Sequence, residues 1–140
     1  MLRIRLRLAA VSLPGALFTA CGGETPITPP PPTPTAAIAL GAATAAITAG
    51  ATTPISVTLT RGGGFTGAVS VTAASLPTGV TSSTETIAAG ATTATITLTA
   101  ASTAAAASAA AVSVTGTGSG VTIASVPLAL SVAGGNGAVT

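Results

Sequence analysis

The chain has 140 residues, of which 1% are aromatic and 4% charged, and it contains no histidine. That length fits one domain plus appendages, and the composition excludes a histidine-based triad and leaves too few carboxylates and thiols for a metal site or an acid–base pair. The formal net charge of +2 does not imply a nucleic-acid partner, because Arg3, Arg5 and Arg7 sit at the extreme N-terminus and only Arg61, Glu24 and Glu85 follow them, whereas phosphate binding needs clustered cations.

Residues 1–20 read as an address. Three arginines precede an apolar run over residues 8–18, which ends in Thr19-Ala20-Cys21, the layout of a signal peptide. The run is 11 residues long with Pro14 and Gly15 inside it, short of the roughly 20 that a membrane-crossing helix needs. Cys21 is the single cysteine, so an intramolecular disulfide is excluded and the thiol needs another use. The sequence Leu17-Phe18-Thr19-Ala20-Cys21 resembles the bacterial lipobox, with Phe18 where that motif usually has Leu. The resemblance implies cleavage before Cys21, lipidation of Cys21, and a protein held in the bacterial cell envelope, at the outer membrane or cell surface, by acyl chains. Each buried methylene of such a chain contributes about 0.8 kcal/mol, so two or three chains anchor durably. The alternative is that Cys21 is a small apolar residue in a signal peptide cut elsewhere.

Residues 21–35 then carry the cysteine into a Pro/Thr-rich linker, with prolines at 26, 29, 30, 31, 32 and 34. So many prolines forbid both helix and sheet pairing. A polyproline II run at about 3.1 Å per residue holds a following domain on the order of 40 Å from its anchor. The linker therefore reads as a stalk, with a docking motif for a proline-reading domain as the sharper alternative.

From residue 36 to 133 the chain alternates apolar and small polar residues in short blocks. Their apolar members are Ile38 and Leu40; Ile47; Ile55, Val57 and Leu59; Val69 and Val71; Val80; Ile96 and Leu98; Val112 and Val114; Val121 and Ile123; then Leu128, Leu130 and Val132. Glycine-containing breaks separate several blocks, as an all-β fold requires. Between Ile123 and Leu128 the alternation slips by one position, which predicts a bulge near residues 125–127 and a bent last strand. Residues 62–64 lack the Lys and Ser/Thr of a phosphate-binding loop and read as a hairpin loop. Residues 100–111, AASTAAAASAAA, have high helix propensity but no amphipathic stripe; the reading preferred is a loop leading into a strand at Val112. Residues 134–140 read as a flexible Gly-rich tail.

The most informative stretch is residues 61–80, RGGGFTGAVSVTAASLPTGV. It resembles the bacterial Ig-like repeats appended to secreted hydrolases and surface proteins, which share a G-F-T-G-x-V and L-P-x-G-V pattern. The resemblance implies a single Ig-like β-sandwich of about seven strands over residues 36–133. It also implies that the strands over residues 55–60 and 94–99, each fed by a similar turn, are neighbours. Such repeats usually place an aromatic near Thr84 and a tyrosine near Ala110; this chain has neither, and Phe65 is the sole aromatic among 21 Ile, Leu and Val residues of the span.

If Ile and Leu face inward, Thr58, Thr60, Thr95, Thr97 and Thr99 face outward as a hydroxyl-bearing sheet face. Threonine's β propensity accounts for them blandly; contact with a glycan or another ordered surface is the sharper reading. The functional expectation is a non-enzymatic envelope lipoprotein whose Ig-like module has a structural, adhesive or protein-interaction role. Its partners are the membrane, through the acyl anchor, and an envelope protein or glycan; no cofactor, nucleic acid or small-molecule substrate is expected. The alternatives are a carbohydrate- or surface-binding module using the threonine face, and a glycosylated, disordered Ala/Thr-rich stalk.

Overall fold

Alternation of apolar and small polar side chains places one face of each strand in the core, and the chain follows that rule over most of its length. The computed structural model describes residues 22–23 and 26–135, and the chain divides into two units, Met1–Pro30 and Pro31–Thr140. In the first, residues 26–30 are exposed and belong to no strand. The second holds nine strands: β1 (Thr35–Leu40), β2 (Thr44–Thr48), β3 (Thr52–Gly62), β4 (Val69–Ala74), β5 (Val80–Ser82), β6 (Glu85–Ile87), β7 (Thr93–Ala100), β8 (Ala107–Gly118) and β9 (Val126–Ala133). No described residue is helical.

Two sheets form, a four-stranded one in the order β1-β3-β7-β5 and a five-stranded one in the order β2-β9-β8-β4-β6. Pairing is antiparallel except between β2 and β9. Their facing sides supply one core, with Val57, Leu59, Ile96 and Leu98 from the first sheet and Val69, Val71, Val114, Leu128 and Leu130 from the second, each no more than 1% exposed. Residues 35–133 are thus a packed all-β unit, not a disordered stalk. The neighbours β3 and β7 pair from Thr52↔Thr99 to Thr58↔Thr93, as the paired turns in the sequence imply.

Nine strands appear instead of about seven because two segments change sheets part-way. The chain leaves β1 on the four-stranded sheet, turns over residues 41–43, and enters β2 on the five-stranded sheet; Gly41 N–H donates to Ser56 O (2.9 Å) and Ala43 O accepts from Ala129 N–H (2.9 Å). On the opposite edge β5 pairs with β7 and β6 with β4. Between them Ser83 N–H donates to Thr97 O (2.9 Å) and its Oγ accepts from Thr97 N–H (3.0 Å). Short edge strands that cross between layers leave little unpaired backbone to recruit another chain.

Three local expectations need correction. Residues 62–64 are not a hairpin loop: β3 and β4 lie in different sheets, and the turn, closed by Phe65 N–H to Gly62 O (3.0 Å), carries the chain between them. Residues 101–106 form the loop, but β8 starts at Ala107, five residues before Val112. No bulge occurs near residues 125–127. The sequence slip there marks a strand end, since Val121 makes only an isolated bridge to Gly118 and residues 122–125 precede β9 as irregular chain. The ladder irregularity falls instead between Ala107 and Ala110, where Ala109 has φ 48°.

Pro127 fits because of where β2 begins. N–H groups two residues apart on a strand point the same way. Ala129 N–H faces Ala43, and β2 pairs with β9 only from Ala129 onward, so the donor that Pro127 lacks would have pointed past the start of β2.

Candidate functional site

The threonine face is built by the register of β3 and β7. Thr58, Thr60, Thr95 and Thr99 are exposed and Thr97 is half-buried. Across the ladder Thr99 lies opposite Thr52, Thr95 opposite Ser56, and Thr58 opposite Thr93; Thr97 faces Pro54, which interrupts the hydroxyl array. On the far side of β7, Thr81 of β5 pairs with Thr99 and donates from Oγ1 to Thr99 O (3.4 Å). The structure therefore unites all five predicted threonines and adds Thr52, Ser56, Thr81 and Thr93, all exposed. Strand parity alone could have found Thr52, Ser56 and Thr93. Thr81 joins through the β5–β7 pairing, which no local pattern announces.

Beside this face, at the β1–β2 crossing, lies a cavity of about 290 Å³ lined by residues 41, 42, 44, 45 and 53–56. Its polar side chains are those of Thr44, Thr53 and Ser56, and Thr53 Oγ1 already donates to Ala46 O (3.2 Å). Such a lining can hold a small neutral group by hydroxyl and backbone contacts but has no titratable group to move a proton.

Arg61 has a role that sequence reasoning missed. From the end of β3 its Nε donates to Ala91 O (2.9 Å), one terminal nitrogen to Ala88 O (3.0 Å) and the other to Gly67 O. Its guanidinium also lies 5.2 Å from the centre of the Phe65 ring, within cation–π range. A planar, five-donor fork suits such divergent acceptors. Arg61 is committed to holding the β3–β4 and β6–β7 connections together, and the adjacency of Arg61 and Phe65 in sequence was the available signal.

Among the described residues no group of three or more His, Cys, Asp or Glu side chains comes together as a metal site would require. Cys21 and Glu24 lie outside the described residues.

No family model matches the chain and no curated protein matches it. Among solved structures it is similar to "Crystal structure of the S-layer protein SbsC domains 4 and 5", at 22% identity and a TM-score of 0.49, over 69% of this chain and 50% of that one. It is also similar to "Structure of surface layer protein SbsC, domains 1-6", at 23% identity and a TM-score of 0.48, over 71% of this chain and 13% of that one. The chain thus spans at most half the length of either.

Proposed function

We propose that the chain is a cell-envelope lipoprotein, anchored through Cys21, whose Pro-rich linker displays a non-catalytic Ig-like β-sandwich with a structural, adhesive or protein-interaction role. The observation that carries this reading is a well-packed scaffold without chemistry. Two sheets enclose an apolar core, while Arg61 and Glu85 are the ionisable side chains of the described span and Arg61 is engaged by backbone carbonyls. The strand order, with the first segment split between sheets and β2 parallel to β9, supports the Ig-like assignment. The leader and lone cysteine support export and lipidation. Replacement Cys21→Ser tests the anchor: palmitate label on the wild type should disappear and the protein should leave the membrane fraction. Unlabelled wild type, or unchanged membrane association of the variant, overturns the reading.

A second reading is favoured by the register, which enlarges the threonine face from five hydroxyl residues to nine. In it, this uncharged face engages a neutral carbohydrate surface. Thr58→Arg with Thr95→Arg should then abolish retention on insoluble polysaccharide, and equal retention of variant and wild type removes the reading.

A further inference from the structure

Two linker threonines lie outside the strands and have no part in the proposed anchor. Thr28 stands between Ile27 and Pro29, and Thr33 between Pro32 and Pro34; both are exposed and neither belongs to a strand. Ile27 beside Thr28 is 96% exposed, so among the described residues nothing covers that side chain. Thr28 N–H donates to Pro26 O (2.9 Å) and the Thr33 carbonyl lies against Gly63, yet both side chains stand exposed, where a modifying enzyme can reach them. The exposed threonines of β3 differ in that their strand is paired to β1 on one side and β7 on the other.

A second observation concerns charge. Arg61 and Glu85 are the ionisable side chains of the described residues, so the domain lacks the electrostatic repulsion that keeps most small domains apart in solution. An exposed, proline-flanked threonine is the composition on which hydrating sugars are commonly carried.

We propose that Thr28 and Thr33 are O-glycan acceptors; this rests on the exported, anchored reading above. Each Oγ attacks the anomeric carbon of a sugar activated there through a phosphate ester. The new glycosidic C–O bond forms as the anomeric C–O bond to phosphate breaks, the phosphate leaves with the bonding electron pair, and the hydroxyl proton passes to a base of the transferase. The sugars hydrate the spacer and keep neighbouring uncharged domains from associating.

The sequence provides its own test. In protein recovered from its native membrane, cleavage after Glu24 and after Arg61 releases residues 25–61 as one peptide, while an N-terminal peptide ending at Glu24 reports acylation of Cys21 separately. The expected result is a 25–61 peptide heavier by hexose or N-acetylhexosamine units that electron-transfer fragmentation places on Thr28 and Thr33. The paired variant Thr28→Val, Thr33→Val should return it to the unmodified mass without changing the domain's melting transition. A bare 25–61 peptide, or sugar confined to the threonines of β3, overturns the proposal. A bare peptide alongside an acylated N-terminal peptide sinks glycosylation alone; a missing acyl mass sinks the anchor and leaves any sugar on Thr28 and Thr33 standing.

Discussion

Val71 and Thr72 are adjacent in β4 and take opposite sides of the sheet. Val71 is fully buried, whereas Thr72 is half-exposed, with its hydroxyl 3.4 Å from that of Thr84. Val71→Ala removes two methyl groups from a core whose only aromatic is Phe65, and it should cost about 1 to 2 kcal/mol more than Thr72→Ala, which trims a partly wet face. Urea denaturation of the isolated domain gives both values; equal midpoint shifts would mean that the assignment of faces is wrong. The same facing rule places Val69 inside. It says nothing of Arg61, whose acceptors at residues 67, 88 and 91 are gathered only once the turns have folded.

At the scale of elements, the turn between β3 and β4 holds the entry of the chain into β1. Thr35 pairs with Gly62, and the segment just before it lies so close that a Cβ on Gly63 would collide with the Thr33 carbonyl; Gly63 also has φ 57°. Gly64 shares the left-handed conformation, φ 76°, but a Cβ there meets nothing within 4 Å. Gly64→Ala should therefore cost only the conformational strain, about 1 to 2 kcal/mol. Gly63→Ala should cost more and expose residues 31–35 to proteolysis. Thermal melts and limited digestion of the two variants check this, and similar behaviour of both would show that the close approach is dispensable. Gly79 is a second such point, since its φ is 84° and a Cβ would stand 2.8 Å from Ala104 Cα. That contact ties the Leu-Pro-Thr-Gly corner to the loop before β8, where Ala104 is buried.

For the folded unit as a whole, entry and exit lie at opposite ends. β1 starts beside the end of β3, at Thr35↔Gly62, while β9 ends at Ala133, whose carbonyl accepts from Ala49 N–H (2.9 Å) just before β3 begins. The chain therefore enters the unit at one pole and leaves it at the other. The near absence of charge has its own consequence. Between about 0.01 M and 1 M sodium chloride the screening length falls from roughly 30 Å to 3 Å, yet the stability of residues 31–135 should change by less than about 0.5 kcal/mol, because exposed pairs contribute little and there are few charges to pair. Denaturation curves at the two salt concentrations measure it; a larger change would reveal electrostatic coupling of Arg61 or Glu85 that the backbone contacts of Arg61 do not account for.

What the sequence determined by itself is local. Alternation within β3, β4, β7 and β9 is a property of a few consecutive residues, and it assigned their inward and outward faces correctly; composition alone removed histidine chemistry. Strand parity likewise made the outward threonines of β3 and β7 readable before any pairing was known. What the tertiary structure alone decided depends on distant partners. Alanine runs such as residues 107–111 fit strand, loop or helix, and only pairing with β9, from Ala107↔Val132 inward, made this one a strand. The switching of β1 into β2 and of β5 into β6, the inter-sheet path of residues 62–64, and the placing of Thr81 beside Thr99 all follow from which strand lies next to which. Hydrogen bonds and packing across the sheets set that adjacency, and residues far apart in the chain share no local pattern that announces it.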